Sequence, residues 1–168
     1  MSDGSLNRAG PPAGQAAVPW LALAERILRC HRMFREDLAR HAERCQLSEP
    51  AFLLLWACRQ APRCGVAQNQ LAARLAVSAA QISGLVEKLR LGGLLEGRRA
   101  QTDRRRQLWR LTPAGEATLQ AGLAEMADWA GVFDSRLGAR GARRLIRLLD
   151  RLVRPRTAIG HASQRGAA

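Results

Sequence analysis

Apolar residues recur every three or four positions along most of the chain, which is the spacing of an amphipathic helix. The first such side, between residues 23 and 45, carries Leu23, Ile27, His31, Phe34, Leu38, His41 and Cys45. After Pro113 comes a second stripe of Leu119, Leu123, Met126, Ala130, Phe133 and Leu137. Gly138 to Gly141 break that stripe, and a third runs from Leu145 to Val153. The pattern predicts long helices towards both ends of the chain.

Three shorter helices are predicted between these ends. "AFLLLWACRQA" (51–61) is apolar on nearly every side, which is typical of a buried central helix, and Ser48 and Pro50 fit its N-cap and first turn. A short amphipathic helix then carries Leu71, Ala72 and Leu75. After a turn at Ala76-Val77, Ser78 caps a helix with an apolar side of Ile82, Leu85, Val86 and Leu89 that ends at Gly92-Gly93. Two short helices joined in this way indicate a helix-turn-helix, although ordinary helical hairpins share the pattern.

Two strands are predicted directly after this helix pair. "LLEGRR" and "QLWRLT" flank the polar segment "AQTDRR", which gives a hairpin with a basic tip. The predicted fold is therefore mainly α with a small β-hairpin, a winged helix-turn-helix core flanked by N- and C-terminal dimerisation helices. The expected divisions are a flexible tail (1–17), a helical dimerisation lobe (18–46 and 114–154), the DNA-binding domain (47–113) and a second flexible tail (155–168). Packing of the two ends on each other within a monomer is the alternative.

The net charge of the chain indicates which class of partner it binds. The chain has 27 basic and 14 acidic residues, a formal net charge of +13, and Lys88 is its only lysine. Such a surplus attracts nucleic acid first and acidic membrane surfaces second. A compositional preference for arginine explains part of the surplus but not its clustering. No apolar run of about 20 residues and no secretory signal is found, so we expect a cytoplasmic protein with reduced thiols and no membrane partner.

The clustering is greatest at the tip of the hairpin. "RRAQTDRRRQLWRLTPAG" (98–115) holds six arginines: Arg98, Arg99, Arg104, Arg105, Arg106 and Arg110. Guanidinium groups bind phosphate in bidentate fashion and fit a narrow minor groove. The single carboxylate, Asp103, could pair with one of them. An exposed ion pair contributes only about 0–1 kcal/mol, so its use would be positional. A solvated charged loop is the alternative.

The helix that begins at Ser78 is the candidate for the major groove. Its free face offers Ala79, Gln81, Ser83 and Lys88. Ser78, at the helix N-terminus, suits a phosphate, and Gln81 could contact adenine in bidentate fashion. Ser83 could reach backbone or base, and Gln68 at the start of the preceding helix is a candidate phosphate contact. Simple solvent exposure is the alternative for each.

With these motifs in order, the sequence resembles the MarR family of bacterial transcriptional regulators over residues 47–115, and the flanking helix pattern agrees across 20–153. The matching stretch is "LAARLAVSAAQISGLVEKLRLGGLLEGRRAQTDRRRQLWRLTPAG", with the wing motif Asp103-Arg104-Arg105 and the closing Leu111-Thr112-x-x-Gly115. The resemblance implies a triangular homodimer on a pseudo-palindromic operator, usually a repressor released by a small ligand or an oxidant. It also implies that Arg105 is the wing arginine and Asp103 its partner.

The sequence departs from the family pattern in three places. Family members often carry basic residues where this chain has Ala79 and Gly84. Few side chains of this helix can therefore read bases, so sequence selectivity would depend more on the wing and on DNA shape. Ala76 stands where a glycine is frequent, and a left-handed backbone there would cost about 1 kcal/mol.

The sequence does not identify the effector. Cys30, beside Arg29, His31 and Arg32, and Cys64 are the candidate redox thiols, but buried inert thiols are commoner and the chain has no tyrosine. His41 and Cys45 could share a zinc ion, with His31 about 15 Å away along the helix. No metal and no cofactor is predicted. The binding site of a small-molecule effector of unknown identity could be lined by Trp20, Met33, Trp56, Met126 or Trp129. Packing in the core is the commoner role for each of these side chains.

Three classes of function are compared: a DNA-binding regulator, an architectural DNA-binding protein and an enzyme. The leading prediction is a sequence-specific DNA-binding regulator, a homodimeric repressor of a double-stranded operator. The alternatives are an architectural DNA-binding protein without an effector and a cysteine-based redox-sensing regulator. An enzyme finds no support, because the sequence has no phosphate-binding glycine loop, no paired carboxylates and no nucleophile with a matched histidine. No catalytic residue is predicted.

Overall fold

The computed structural model describes residues 19–99 and 107–153. In chain order these form α1 (Pro19–Arg44), α2 (Glu49–Arg59), β1 (Val66–Ala67), α3 (Gln68–Leu75), α4 (Ala79–Leu91), β2 (Leu95–Arg99), β3 (Gln107–Leu111), α5 (Pro113–Glu125) and α6 (Ala127–Val153). This confirms the predicted fold class of helices with a small β-hairpin. The chain divides into two compact units, Met1–Leu123 and Ala124–Ala168. Within the described residues no helix is both long and apolar enough to cross a membrane.

The core of the first unit is built around α2. Six of the helix's residues are buried, namely Ala51, Phe52, Leu54, Leu55, Ala57 and Cys58, which confirms the predicted central helix. Leu71 of α3, Ile82 of α4 and Leu119 of α5 are also fully buried. Ser48 occupies the N-cap position in an extended backbone conformation, although its side chain makes no capping hydrogen bond, and Pro50 lies in the first turn.

A three-stranded antiparallel sheet closes the unit, in the order β1-β3-β2. The predicted hairpin pairs Leu95 with Leu111 and Arg99 with Gln107. The extra strand β1 pairs Val66 with Trp109; at two residues it is too short to show an alternating pattern. Gly65 before it has φ +97°, and a Cβ there would lie 2.8 Å from the Trp109 carbonyl oxygen, so glycine is required.

The second unit consists largely of α6. None of the helix's residues is buried. Gly138, with φ 62° and ψ 161°, interrupts the helix, and residues 139–153 continue as a separate helical segment. The predicted break is therefore confined to Gly138. The sequence pattern ran unbroken from Leu119 to Leu137, whereas the structure ends α5 at Glu125 and begins α6 at Ala127, with neither proline nor glycine at that point.

Candidate nucleic-acid interface

The turn between α3 and α4 sets the angle of the helix pair. Ala76 adopts the left-handed conformation, φ 52° and ψ 43°, as the sequence anticipated. Its N–H and that of Val77 donate to carbonyls of the last turn of α3, with Val77 N 3.1 Å from Ala72 O. Left-handed backbone costs a residue with a Cβ about 1–2 kcal/mol, so the turn geometry is maintained against a local strain.

A reciprocal cap starts α4. The Ser78 hydroxyl accepts from the Gln81 N–H (3.2 Å), and the Gln81 side-chain oxygen accepts from the Ser78 N–H (3.0 Å). This confirms Ser78 as the N-cap and forms a capping box. Bidentate reading of adenine would need the same Gln81 oxygen. The base-reading role predicted for Gln81 therefore competes with a helix cap, and it stays a prediction.

A second pair of predicted contact residues meets at the α3–α4 surface. Gln68 Nε2 donates to Ser83 Oγ (2.6 Å), and the Ser83 hydroxyl donates to the Ala79 carbonyl (2.8 Å). Both hydrogen bonds lie at the exposed surface. The Ser83 hydroxyl is thus used as donor and as acceptor, while the Gln68 side-chain oxygen has no hydrogen-bond donor among the described residues. The pairing was not visible in the sequence because 15 residues separate the two side chains.

The first half of α4 exposes three small residues, Ala79, Ala80 and Gly84, here named the smooth face. Ile82, Val86 and Leu89 are buried on the other side, while Ala79, Ala80 and Gly84 face solvent. Nothing lies within 4 Å of a Cβ built on Gly84. Glycine costs an exposed helix interior about 1 kcal/mol relative to alanine, so its presence fits a backbone that approaches another molecule closely.

Larger polar groups occupy the second half of α4. Lys88 is exposed. Arg90 binds the Glu87 carboxylate through two hydrogen bonds of 2.8 Å, and this hydrogen bonding lowers the pKa of Glu87. The Glu87 charge on the face proposed for DNA is thereby held beside a neutralising guanidinium.

The described part of the hairpin separates its arginines into two kinds. Arg98 and Arg99 are exposed at the end of β2, and Arg98 Nε lies 3.8 Å from a Glu96 oxygen. Arg110, which the sequence pattern grouped with the tip, instead lies opposite Glu96 in the sheet and forms an ion pair with it. Asp103, Arg104, Arg105 and Arg106 lie outside the described residues.

The motif that closes the hairpin anchors it to α5. The Thr112 hydroxyl donates to Gly93 O (2.6 Å) and accepts from the Gly115 N–H (3.0 Å). A Cβ on Gly115 would clash with Leu94 O. Thr112 therefore ties the start of β2 to the first turn of α5, and Gly115 permits the close approach. The motif was visible in the sequence, but the contacts of Thr112 with Gly93 and Gly115 were not.

The candidate effector residues are scattered. Cys30 and Cys64 are exposed, Cys45 is half-buried and Cys58 is buried; burial raises the pKa of the Cys58 thiol to about 12, although Arg74 opposes the rise. Of the apolar candidates, Trp20 and Met33 are exposed, Trp56 lies under the Arg59 guanidinium, Met126 is buried, and Trp129 packs edge-on against Phe133. In the described part of the chain, no three His, Cys, Asp or Glu side chains cluster as metal ligands would.

One open cavity borders α1 in the first unit. Its volume is about 510 Å³, and it is lined by Leu28, His31, Arg32, Arg35, Glu36, Ala39 and Glu49. Arg35 Nε lies 2.9 Å from a Glu49 oxygen across it. None of the five predicted effector-lining residues borders this cavity.

Comparison with known proteins agrees with this geometry. Residues 46–106 match the model of the MarR family. A probable transcriptional regulator from Pseudomonas aeruginosa is 27% identical, with a TM-score of 0.59 over 82% of this chain and 98% of that one. CouR bound to a 23-mer DNA duplex is 22% identical (TM-score 0.67; 87% and 100% covered). CouR from Rhodococcus jostii RHA1 bound to p-coumaroyl-CoA is 19% identical (TM-score 0.69; 80% and 93% covered).

No curated protein sequence matches the chain significantly. The sequence match covers α2, the helix pair and β2 and ends before β3, whereas the structural likeness extends over most of the chain. These are the same elements that form the capped helix, the smooth face and the basic hairpin described above. Residues 46–106 therefore match the MarR family, and the chain has the winged helix-turn-helix fold of the DNA-binding transcriptional regulators to which it is similar in structure.

Proposed function

We propose that this regulator is a homodimeric repressor that binds a pseudo-palindromic operator with two winged helices. The observation that carries the proposal is the exposed, small-residue face of α4 beside the arginine-bearing hairpin of the same unit. A helix of this kind enters the major groove while the hairpin tip follows the adjacent minor groove. CouR, which has the same fold, is known in complex with a DNA duplex.

Contacts to DNA divide into two groups in this proposal. Ser78, Gln68 and Lys88 bind phosphates and fix the register, while Gln81 and Ser83 face base edges past Ala79. The wing supplies the second group: Arg98, Arg99, Arg104, Arg105 and Arg106, with Asp103 orienting Arg105. Since Gln81 and Ser83 are engaged in hydrogen bonds within the protein, the wing and DNA shape contribute much of the selectivity.

Exposed apolar side chains support a homodimer. Of 16 large apolar side chains that are exposed among the described residues, all but Leu91 lie on α1 or α6. Monomeric proteins rarely expose large apolar patches. A second copy, using the same faces in a two-fold arrangement, would bury them. We therefore assign dimerisation to the helices at the two ends of the chain, as the sequence pattern predicted.

A small-molecule ligand is the proposed effector. The cavity along α1 is large enough for a drug-sized molecule, and its walls carry both basic groups (His31, Arg32, Arg35) and the carboxylates of Glu36 and Glu49. CouR, of the same fold, is known in complex with p-coumaroyl-CoA. Oxidation is the second candidate signal, since Cys30 is exposed and borders a groove with Arg26 and Arg29.

The test uses the full chain and the DNA upstream of its own gene in a gel-shift assay. Arg105→Ala should weaken operator binding about tenfold or more while the dimer stays intact, because one phosphate or minor-groove contact is lost per subunit. Arg29→Ala on α1 is the control and should leave affinity unchanged. Equal affinity of Arg105→Ala and the native chain at physiological salt would refute the wing's role. Gln81→Ala should alter sequence preference more than salt dependence.

A further inference from the structure

The helical segment after Gly138 has two opposite faces. At the helical repeat of 3.6 residues per turn, Ala142, Leu145, Ile146, Leu149 and Leu152 share one side of the segment 139–153. The opposite side carries five arginines, here named the arginine stripe: Arg140, Arg143, Arg144, Arg147 and Arg151. On helical geometry the stripe covers an arc of about 100° and a length of about 17 Å. Asp150, the one acidic residue of the segment, lies outside that arc.

The guanidinium groups of the stripe are available to an external partner. All five residues are exposed, and none of them forms an ion pair or hydrogen bond with another described residue. Arg144, Arg147 and Arg151 border a groove of about 240 Å³. Five like charges along one side of a helix repel one another, and an anion shared between them would relieve that repulsion.

We propose that the arginine stripe of α6 is a second, sequence-independent binding surface for double-stranded DNA, separate from the winged helix. The spacing of the charges along the stripe favours DNA as the partner. The stripe presents about one positive charge per 3–4 Å of helix, and one strand of a duplex presents about one negative charge per 3.4 Å of its axis. Arginine also binds phosphate in bidentate fashion, which lysine does not. After Val153 the sequence continues with Arg154, Arg156 and Arg165 and no acidic residue.

The apolar face opposite the stripe argues against a membrane as the partner. A basic amphipathic helix lies in a bilayer surface only when its apolar side enters the lipid. In this protein that side is the one assigned to the second copy in the proposed dimer. The stripe, on the opposite side, stays accessible when the apolar side is covered. DNA binding by the stripe uses the arginines alone, so it is compatible with the dimer.

The function of such a surface is to hold a second stretch of duplex. One stretch is read by the winged helices, and the stripe binds another, either further along the same molecule or on a neighbouring one. Since the stripe contacts only phosphates, it adds affinity without sequence preference. The proposal depends on residues 139–153 and not on the operator-reading role of the wing.

The test measures binding by a full-length chain whose wing is disabled (R98Q, R99Q, R104Q, R105Q and R106Q). Fluorescence anisotropy with a labelled mixed-sequence duplex of about 30 base pairs at about 50 mM salt should still show binding. Adding the stripe substitutions R140Q, R143Q, R144Q, R147Q and R151Q should weaken that binding at least about tenfold and flatten its salt dependence. The pair R144Q/R147Q alone should weaken it about threefold, and circular dichroism checks that each variant keeps its helix content.

A charge-matched set on α1, R26Q, R29Q, R32Q, R40Q and R44Q, is the control and should weaken binding less than about threefold on the same background. Equal losses from the stripe and α1 sets, or no binding by the wing-disabled chain, would overturn the proposal. So would stripe-dependent sedimentation with phosphatidylserine vesicles in the absence of a stripe effect on DNA. If the wing-disabled chain binds the operator duplex as tightly as the native one, the operator-reading proposal fails, whereas a loss of mixed-sequence binding on adding the stripe substitutions still supports the stripe.

Discussion

The first unit and α6 use arginine in different ways. In the first unit, Arg35, Arg40, Arg59, Arg90, Arg98 and Arg110 each lie within ion-pair distance of a carboxylate, and their neighbours surround a buried core. In α6 no residue is buried, and the five arginines of the stripe pair with no described residue. The first unit therefore has a core of its own, whereas α6 leaves both its apolar side and the arginine stripe exposed to solvent.

The largest effect is expected from breaking the apolar side of α6. Leu149→Glu with Leu152→Glu should convert the proposed dimer to monomer, with an association constant lowered by more than about a hundredfold. Burying one leucine contributes about 1.5–3 kcal/mol, and each substitution acts twice in a two-fold interface. Light scattering after size-exclusion chromatography measures the mass. Leu91→Glu, on a still more exposed leucine outside α1 and α6, is the control and should leave the mass unchanged. An unaltered mass for the double variant would contradict the assignment of the dimer interface.

Thiol reactivity separates the buried core from the exposed helix. Burial raises the pKa of Cys58 to about 12, so at about pH 8 its thiolate is roughly a thousandfold rarer than that of a thiol with an ordinary pKa. The exposed thiols of Cys30 and Cys64 should react with maleimide in the native chain, and Cys58 should react only after unfolding. Mass spectrometry of the labelled peptides follows the three sites. Labelling of Cys58 at the rate of Cys30 would show that the core is open.

Two glycines of the first unit should respond to alanine with opposite signs. Gly115→Ala places a Cβ against Leu94 O and should lower the free energy of unfolding by about 1–3 kcal/mol. Gly84→Ala meets nothing within 4 Å and should raise it by about 1 kcal/mol through helix propensity. In DNA binding, Gly84→Ala should instead be weaker, because its methyl group obstructs close approach. Urea denaturation measures the free energy of unfolding and a gel shift measures the DNA affinity. Unimpaired DNA binding by Gly84→Ala would show that the smooth face of α4 does not approach DNA closely.

The smallest effect is expected at the turn between α3 and α4. Ala76→Gly removes the left-handed strain of Ala76 and should raise the free energy of unfolding by about 0.5–1 kcal/mol, the gain being reduced by the greater freedom of glycine in the unfolded chain. Ala73→Gly, within the exposed part of α3, is the matched control and should lower it by about the same amount. A loss of stability on Ala76→Gly would mean that the turn is not strained.

The sequence predicted the helix pair, the hairpin and the helices at both ends because each has a period, a cap or a breaker that is local in the chain. Ser78 and Ala76 behave in the structure as their positions indicated. The strand β1 and the Gln68–Ser83 hydrogen bond could not be predicted, since both depend on contacts between distant segments. The same holds for Arg110, whose pairing with Glu96 follows from strand register and not from its place in a basic run.

Selection of bound duplexes from a random-sequence pool by the full-length protein shows whether two copies of α4 and its wing read one operator. We expect enrichment of two inverted half-sites whose centres are about 10 base pairs apart, one helical turn, since two-fold related helices then lie in successive major grooves. Recovery of sequences with no repeated half-site, or of a single unpaired site, would contradict it.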